Sequence, residues 1–133
     1  MMSDLSTRMS RHHILWVEKL WSLKPYNQLR EHPMAKIQLP HEIHHDELHP
    51  KFYWNPMPLP PVWAVPQLLA ALDSANGPID GIKRMISALK ELKKHPRHIR
   101  GSIIDKEDRL RLDNLCHGLQ EQLDFFSSKN ITD

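Results

Sequence analysis

The sequence predicts an α+β fold that is mostly helical, and three observations carry the prediction. In the second half, apolar residues recur at three- and four-residue steps, the period of an amphipathic helix. The middle holds a proline-dense stretch that no regular helix accommodates. In the first third, short apolar runs are broken by Pro25, Pro33 and Pro40, and runs this short suit strands and helical turns alike. The expected organisation is a flexible N-terminus over residues 1–10 and a single domain over 11–133. Within that domain, 11–50 forms a short strand–strand–helix unit, 51–66 a proline-rich extended segment, and 67–126 a helical tail.

Composition limits the function classes. The chain has 133 residues, 40% of them hydrophobic, which suits one small domain and argues against global disorder. Its net charge is only +2 with histidine neutral, so charge alone does not mark a nucleic-acid binder. The ten histidines add local charge below neutral pH. A single cysteine, Cys116, excludes a disulfide framework and a cysteine-based zinc cluster. No run approaches the ~18 apolar residues of a membrane span. The N-terminus has no apolar signal-peptide region, so the expected location is cytoplasmic.

Taken in order, the run ILWVEKLWSL (14–23) reads as a strand in its first half and a short helical turn in its second. Pro25 breaks it, and YNQLREHP reads as a loop or one helical turn ended by Pro33. MAKIQL (34–39) is a short strand candidate. Pro40 suits the first position of a helix and Pro50 marks its end, giving a short helix that carries His41, His44, His45 and His49. The stretch PKFYWNPMPLPPVWAVP (50–66) contains six prolines and is expected to be extended, its aromatic residues packing across the domain. Pro66 starts the next helix, and Asn76-Gly77-Pro78 turns the chain into another. That helix places Ile79, Ile82, Met85, Ile86, Leu89 and Leu92 on one face and stops before Pro96. A last helix begins near Asp105 and buries Leu112, Leu115, Cys116, Leu119, Leu123 and Phe126. Cys116 therefore reads as a packed thiol. His32, His95 and His98 read as surface groups, and His117 as the edge of the core.

The chemistry concentrates in HEIHHDELH (41–49), with four histidines and three carboxylates in nine residues. Two motifs overlap there. His41, Glu42 and His45 spell H-E-x-x-H, in which two histidines one helical turn apart bind zinc and the glutamate acts as base. The offsets where an extended peptidase motif places glycine and a third histidine hold Leu48 and Lys51, and Pro40 and Pro50 confine the motif to a very short helix. The other arrangement joins Arg11-His12-His13-Ile14 to His45-x-x-x-His49.

This second arrangement resembles the HNH, or ββα-metal (His-Me finger), endonuclease family in a small phage-type form. The resemblance covers residues 11–50. In the family a His-His pair ends the first strand, and two histidines one turn apart on the following helix complete a metal site. The usual last segment is L-C-x-x-C-H-x-x-x-H. Here it reads LPHEIHHDELH, with His41 and His44 near the two cysteine positions and Pro40 shifting the local spacing by one. The resemblance implies His13 as general base and His12, His45 and His49 as metal ligands. It also implies a short ββα-metal unit, buttressed by the proline-rich segment and the C-terminal helices. Hydrolysis of a phosphodiester needs an activated water and a divalent cation against the phosphate, and three imidazoles leave coordination positions open for both. Zn, Ni, Mn or Mg would be the cation, with Mg least at ease among nitrogen ligands. Lys36 stands where the family keeps the asparagine that steers the base. Asn27 is the only asparagine between the two histidine clusters; either it is brought in by the loop, or a backbone carbonyl orients His13, or the site is not catalytic.

The expected partner is nucleic acid, DNA first, with no membrane; an oligomer or a phage or host protein partner is left open. KKHPRHIR (93–100) places Lys93, Lys94, Arg97 and Arg100 beside two histidines with no acid, a phosphate-binding candidate or a solvated helix end. Arg11 would line the other side of the site. The tryptophans Trp16, Trp21, Trp54 and Trp63 read as core more than as base-stacking platforms. A non-catalytic metal- or partner-binding protein on the same scaffold is the alternative function, and Lys36 is the feature that favours it.

Overall fold

The computed structural model describes residues 19–20, 22–36, 58–94 and 106–131. Among the described residues the protein is helical and contains no strand. Four α-helices are named here α1 (Lys24–Arg30), α2 (Val65–Asp73), α3 (Pro78–Lys94) and α4 (Lys106–Ser128). Two 3-10 turns, Pro33–Ala35 and Val62–Ala64, precede the long helical region. The mostly helical class therefore holds. Most of the strand–strand–helix unit expected over 11–50, including the helix over 40–49, lies outside the described residues.

Two expectations near the N-terminal side are corrected. Pro25 does not break the chain; it lies in the first turn of α1. There its fixed φ is already helical and its missing N–H has no intrahelical partner to lose. Seven residues become helical in place of the expected loop or single turn, and Tyr26 and Leu29, three apart, face the core. The strand expected over 34–39 does not begin at Met34. Pro33 starts a 3-10 turn, and the Met34 N–H donates to His32 Nδ1 at 3.1 Å. Only Lys36 is extended (φ −108, ψ 123) before the described residues end.

The proline-rich segment behaves in two ways. Residues 58–61 have no regular structure, and Pro61 (φ −58, ψ 144) has polyproline-like angles. Val62–Ala64 then tightens into the 3-10 turn, and α2 already begins at Val65, with Pro66 in its first turn. The extended reading thus ends earlier than residue 66.

The helical tail forms as its pattern predicts. α3 buries Ile79, Ile82, Met85, Ile86 and Leu89, with Leu92 half-buried. Asp80 braces the turn before it by accepting from the Asn76 N–H at 3.0 Å and from Arg84 Nε at 2.7 Å. The Arg84 bond leads in holding the Asp80 carboxyl below the usual carboxylate range, with the Asn76 N–H second.

α4 buries Leu112, Leu115, Cys116, Leu119, Gln122 and Phe126. Gln122 is thus an unforeseen buried polar residue, and Leu123 is only half-buried. The helix runs past residue 126 to Ser128 and closes with Asn130 in the left-handed region (φ 58). The Ile131 N–H reaches Phe126 O at 2.9 Å and the Asn130 N–H reaches Ser127 O at 3.1 Å, the two bonds of a Schellman cap. Ile131 is buried with Phe126 in the core.

α3 lies between α2 and α4 and also supports the Pro33–Ala35 turn, while α1 packs on α2. Fully buried Leu29, Leu68, Leu72, Met85, Leu89, Leu112, Leu115 and Leu119 join these elements in one core. The turn and α3 approach closely at Gly81. A Cβ there would stand 2.9 Å from Leu72 Cδ2 and 3.0 Å from the Met34 carbonyl oxygen.

Candidate functional site

The metal and base candidates His12, His13, His45 and His49 lie outside the described residues, as do His41, His44, Arg11, Arg97 and Arg100. Three of the expected site residues are described. Asn27 sits on the exposed side of α1, and its Oδ1 accepts from Arg30 Nη2 at 3.0 Å. It belongs to a helix rather than to an inward-carrying loop. Lys93 Nζ lies 2.8 Å from Asp113 Oδ1 on α4. The Lys93 carbonyl accepts from Arg109 at 3.3 Å, which satisfies one open group at the end of α3. Lys94 is exposed and lies 3.5 Å from Glu91. Lys36 bonds Glu31 at 2.8 Å, and that bond leads in holding the Glu31 carboxyl below the usual range.

Around these residues, the helical body grips the stretches of chain that flank the histidine clusters. The Tyr26 hydroxyl donates to the Pro60 carbonyl at 3.0 Å, so the chain returning from residues 37–57 is fastened to the first turn of α1. Burial pushes the Tyr26 phenol up from its ordinary value; Arg111 acts in the opposite sense and Asp108 in the same sense. Trp63 Nε1 donates to Asp108 Oδ2 at 2.8 Å, fastening the same segment to α4. On the outgoing side, His32 Nε2 lies 2.7 Å from Asp73 Oδ1 at the end of α2. The Met34 N–H occupies His32 Nδ1 as donor, so Nε2 carries the proton and donates to Asp73.

Two readings of individual histidines are corrected here. His32 is not a free surface group: its side chain is only 16% exposed, and both ring nitrogens are engaged. A histidine placed before Pro33, with its ring folded onto the following N–H, was the available signal, and the distant Asp73 gave none. His117 is not at the core edge. It is 79% exposed, because it follows buried Cys116 by one residue and so turns to the outer face of α4, 3.7 Å from Glu121.

The proposed ligands fit a divalent cation by donor chemistry, since an all-imidazole set suits zinc or nickel. Among the described residues no group of three His, Cys, Asp or Glu side chains could hold a metal. His32 has no nitrogen left to offer a metal, and His117 faces outward. Among the described residues no helix is long and apolar enough to cross a membrane. No family model, no curated protein and no solved structure matches this chain.

Proposed function

We propose that the protein is a metal-dependent HNH-like endonuclease that hydrolyses nucleic-acid phosphodiester bonds. The observation that carries the reading is the paired histidine constellation, His12-His13 and His45-x-x-x-His49. The helical body bears on the second cluster, because it holds the described chain on either side of residues 37–57. The first cluster leads into α1. The second leaves from the Pro33–Ala35 turn after α1 and returns to Pro60, which Tyr26 of α1 holds. A unit as small as 11–50 needs such a buttress.

In this reading a neutral His13 imidazole takes the proton from the attacking water. His12, His45 and His49 hold the divalent cation, which when bound would offset charge on the scissile phosphate. A second reading, a non-catalytic metal- or partner-binding protein on this scaffold, is favoured by Lys36. The residue standing for the base-steering asparagine is an exposed cation paired with Glu31.

Plasmid nicking and metal content together test the proposal. His13→Ala is expected to keep bound metal and lose nicking. His49→Ala is expected to lose both, and His41→Ala neither. Metal loss confined to His41→Ala would support the H-E-x-x-H peptidase arrangement instead. Retained metal with no nicking by the wild-type chain would leave the binding protein, and nicking that survives His13→Ala would remove His13 as base.

A further inference from the structure

The expected phosphate-binding run begins at Lys93 and Lys94, but the fold divides those two residues. Lys93 turns inward to Asp113, while Lys94 stays on the outer face of α3. Three other residues share that outer face. Lys83, Ser87, Lys90 and Lys94 are all exposed, at i, i+4, i+7 and i+11. At about 100° per residue they fall within a sector of roughly 60°, and the stripe runs about 16 Å along the axis.

We propose that this stripe is a docking surface for the phosphate backbone of double-stranded DNA. The proposal rests on the nucleic-acid reading above and locates where the strand is held outside the histidine site. Lys83 and Lys90 form no ion pair with the described residues. The nearby acids are already engaged: Asp80, which Lys83 attracts only at longer range, is bonded to Arg84, and Glu91 faces Lys94.

Charge is also segregated between the helices. α3 carries Lys83, Arg84, Lys90, Lys93 and Lys94 against Asp80 and Glu91. α4 carries Lys106, Arg109 and Arg111 against Glu107, Asp108, Asp113, Glu121 and Asp124. A polyanion meeting this body is drawn to α3 and turned away from α4. An anionic membrane fits less well. A helix that lies on lipid needs an apolar face to insert, and the apolar face of α3 is buried in the core.

Fluorescence anisotropy with a nuclease-resistant phosphorothioate duplex, over a series of salt concentrations, tests the surface. The full-length chain is compared with Lys83→Gln/Lys90→Gln and with a charge-matched control, Lys106→Gln/Lys129→Gln. These are exposed positions, and circular dichroism checks that each variant folds. The α3 double variant is expected to weaken binding about tenfold and to flatten the log K against log salt slope by roughly 2, about 1 for each phosphate that is no longer neutralised. The control is expected to change both far less. Equal effects in the two doubles would overturn the stripe, since net charge alone would then be responsible. So would a wild-type chain that does not bind the duplex at low salt, or an α3 variant that loses binding to phosphatidylserine vesicles but not to DNA. Nicking measured on the same samples separates this proposal from the catalytic one. Binding that depends on α3 without nicking keeps the surface and removes the nuclease, whereas nicking and binding that both ignore α3 do the reverse.

Discussion

The Tyr26 hydroxyl donates a hydrogen bond to the carbonyl oxygen of Pro60, 34 positions later, at 3.0 Å inside the core. The bond answers a problem that prolines create. Pro60 and Pro61 have no N–H, so their segment cannot join a ladder, and a buried carbonyl there needs a donor from elsewhere. Pro60 is fully buried and Tyr26 supplies that donor. Trp63 repeats the device in the other direction, its indole N–H reaching Asp108 on α4. The segment is thereby held to two helices through the polar tips of two aromatic residues, each of which also brings apolar area.

Replacing Tyr26 by Phe keeps the ring and removes the donor, leaving the Pro60 carbonyl buried and unpaired. The expected loss is about 1–3 kcal/mol of unfolding free energy. Urea denaturation of wild type and variant measures it. A midpoint unchanged between the two would mean that the bond contributes nothing in solution.

The same hydroxyl predicts a response to alkali. Burial raises the Tyr26 phenol above the ordinary value of 10.0. Between the unfolded and the folded values the native state holds a proton that the unfolded chain releases, so stability falls as pH rises through that window. The contribution is fully present below the unfolded value. Wild type is therefore expected to lose stability more steeply above about pH 10 than Tyr26→Phe. Lysine titration and Tyr53 affect both chains alike, so the difference between the two profiles isolates Tyr26. Parallel profiles would contradict the buried assignment.

Gly81 reverses an ordinary expectation. In an exposed helix interior, Gly→Ala stabilises by about 0.5–1 kcal/mol. Here the added methyl would meet Leu72 Cδ2 at 2.9 Å and the Met34 carbonyl oxygen at 3.0 Å. The leucine end can rotate, but the carbonyl belongs to a turn pinned by His32 and Pro33. Gly81→Ala is expected to destabilise by about 1–3 kcal/mol. A thermal melt that rises instead would show that the turn gives way freely.

What was legible in the sequence follows from how far each signal reaches. The stripe from Ile79 to Leu89 repeats its period over three turns, and helix α3 could be read from it directly. α1 could not, because its two buried residues, Tyr26 and Leu29, make too short a pattern, and Pro25 reads equally as a breaker or a first-turn residue. Its helicity is secured by packing on α2, which is tertiary information. Gln122 stands on an otherwise apolar face, and its burial depends on what lies opposite. At the candidate site, the residue types in 41–49 carry the expectation of a metal, while the inward turn of Lys93 required knowing that Asp113 sits across from it. The pairing of His32 with Asp73 spans 41 positions and left no trace in local pattern.

His32 is expected in a single neutral tautomer. The Met34 N–H points at Nδ1, so the proton resides on Nε2 and is shared with Asp73. Nitrogen-15 correlation spectra at pH 8 distinguish the two tautomers, and an Nδ1-protonated ring would contradict the geometry. His32→Ala removes an acceptor from the turn and a donor from the end of α2. The expected cost is about 0.5–1.5 kcal/mol, the range for a typical hydrogen bond, since one of the two bonds is exposed and the other part-buried. Asp73→Ala is expected to cost less, because Asp73 is exposed and water replaces its partner. The double variant should lose less than the two singles combined, since both remove the same bond.

Metal binding, if it builds the unit over 11–50, is linked to folding. A cation that binds only the native chain adds RT ln(1 + [L]/Kd), about 2.7 kcal/mol when its free concentration is one hundred times Kd. Zinc or nickel is therefore expected to raise the melting temperature of wild type, and a chelator to return it. His49→Ala and His12→Ala are expected to abolish the shift. His117→Ala should preserve it, because that ring faces solvent beside Glu121 on α4. His32→Ala serves as a second control of a different kind: it lowers the melting temperature but should leave the metal-induced increment intact, because neither nitrogen of that ring is available to a cation. An increment that disappears with His32 or His117, and survives the loss of His12 and His49, would place the metal on the helical body and separate it from the histidine clusters.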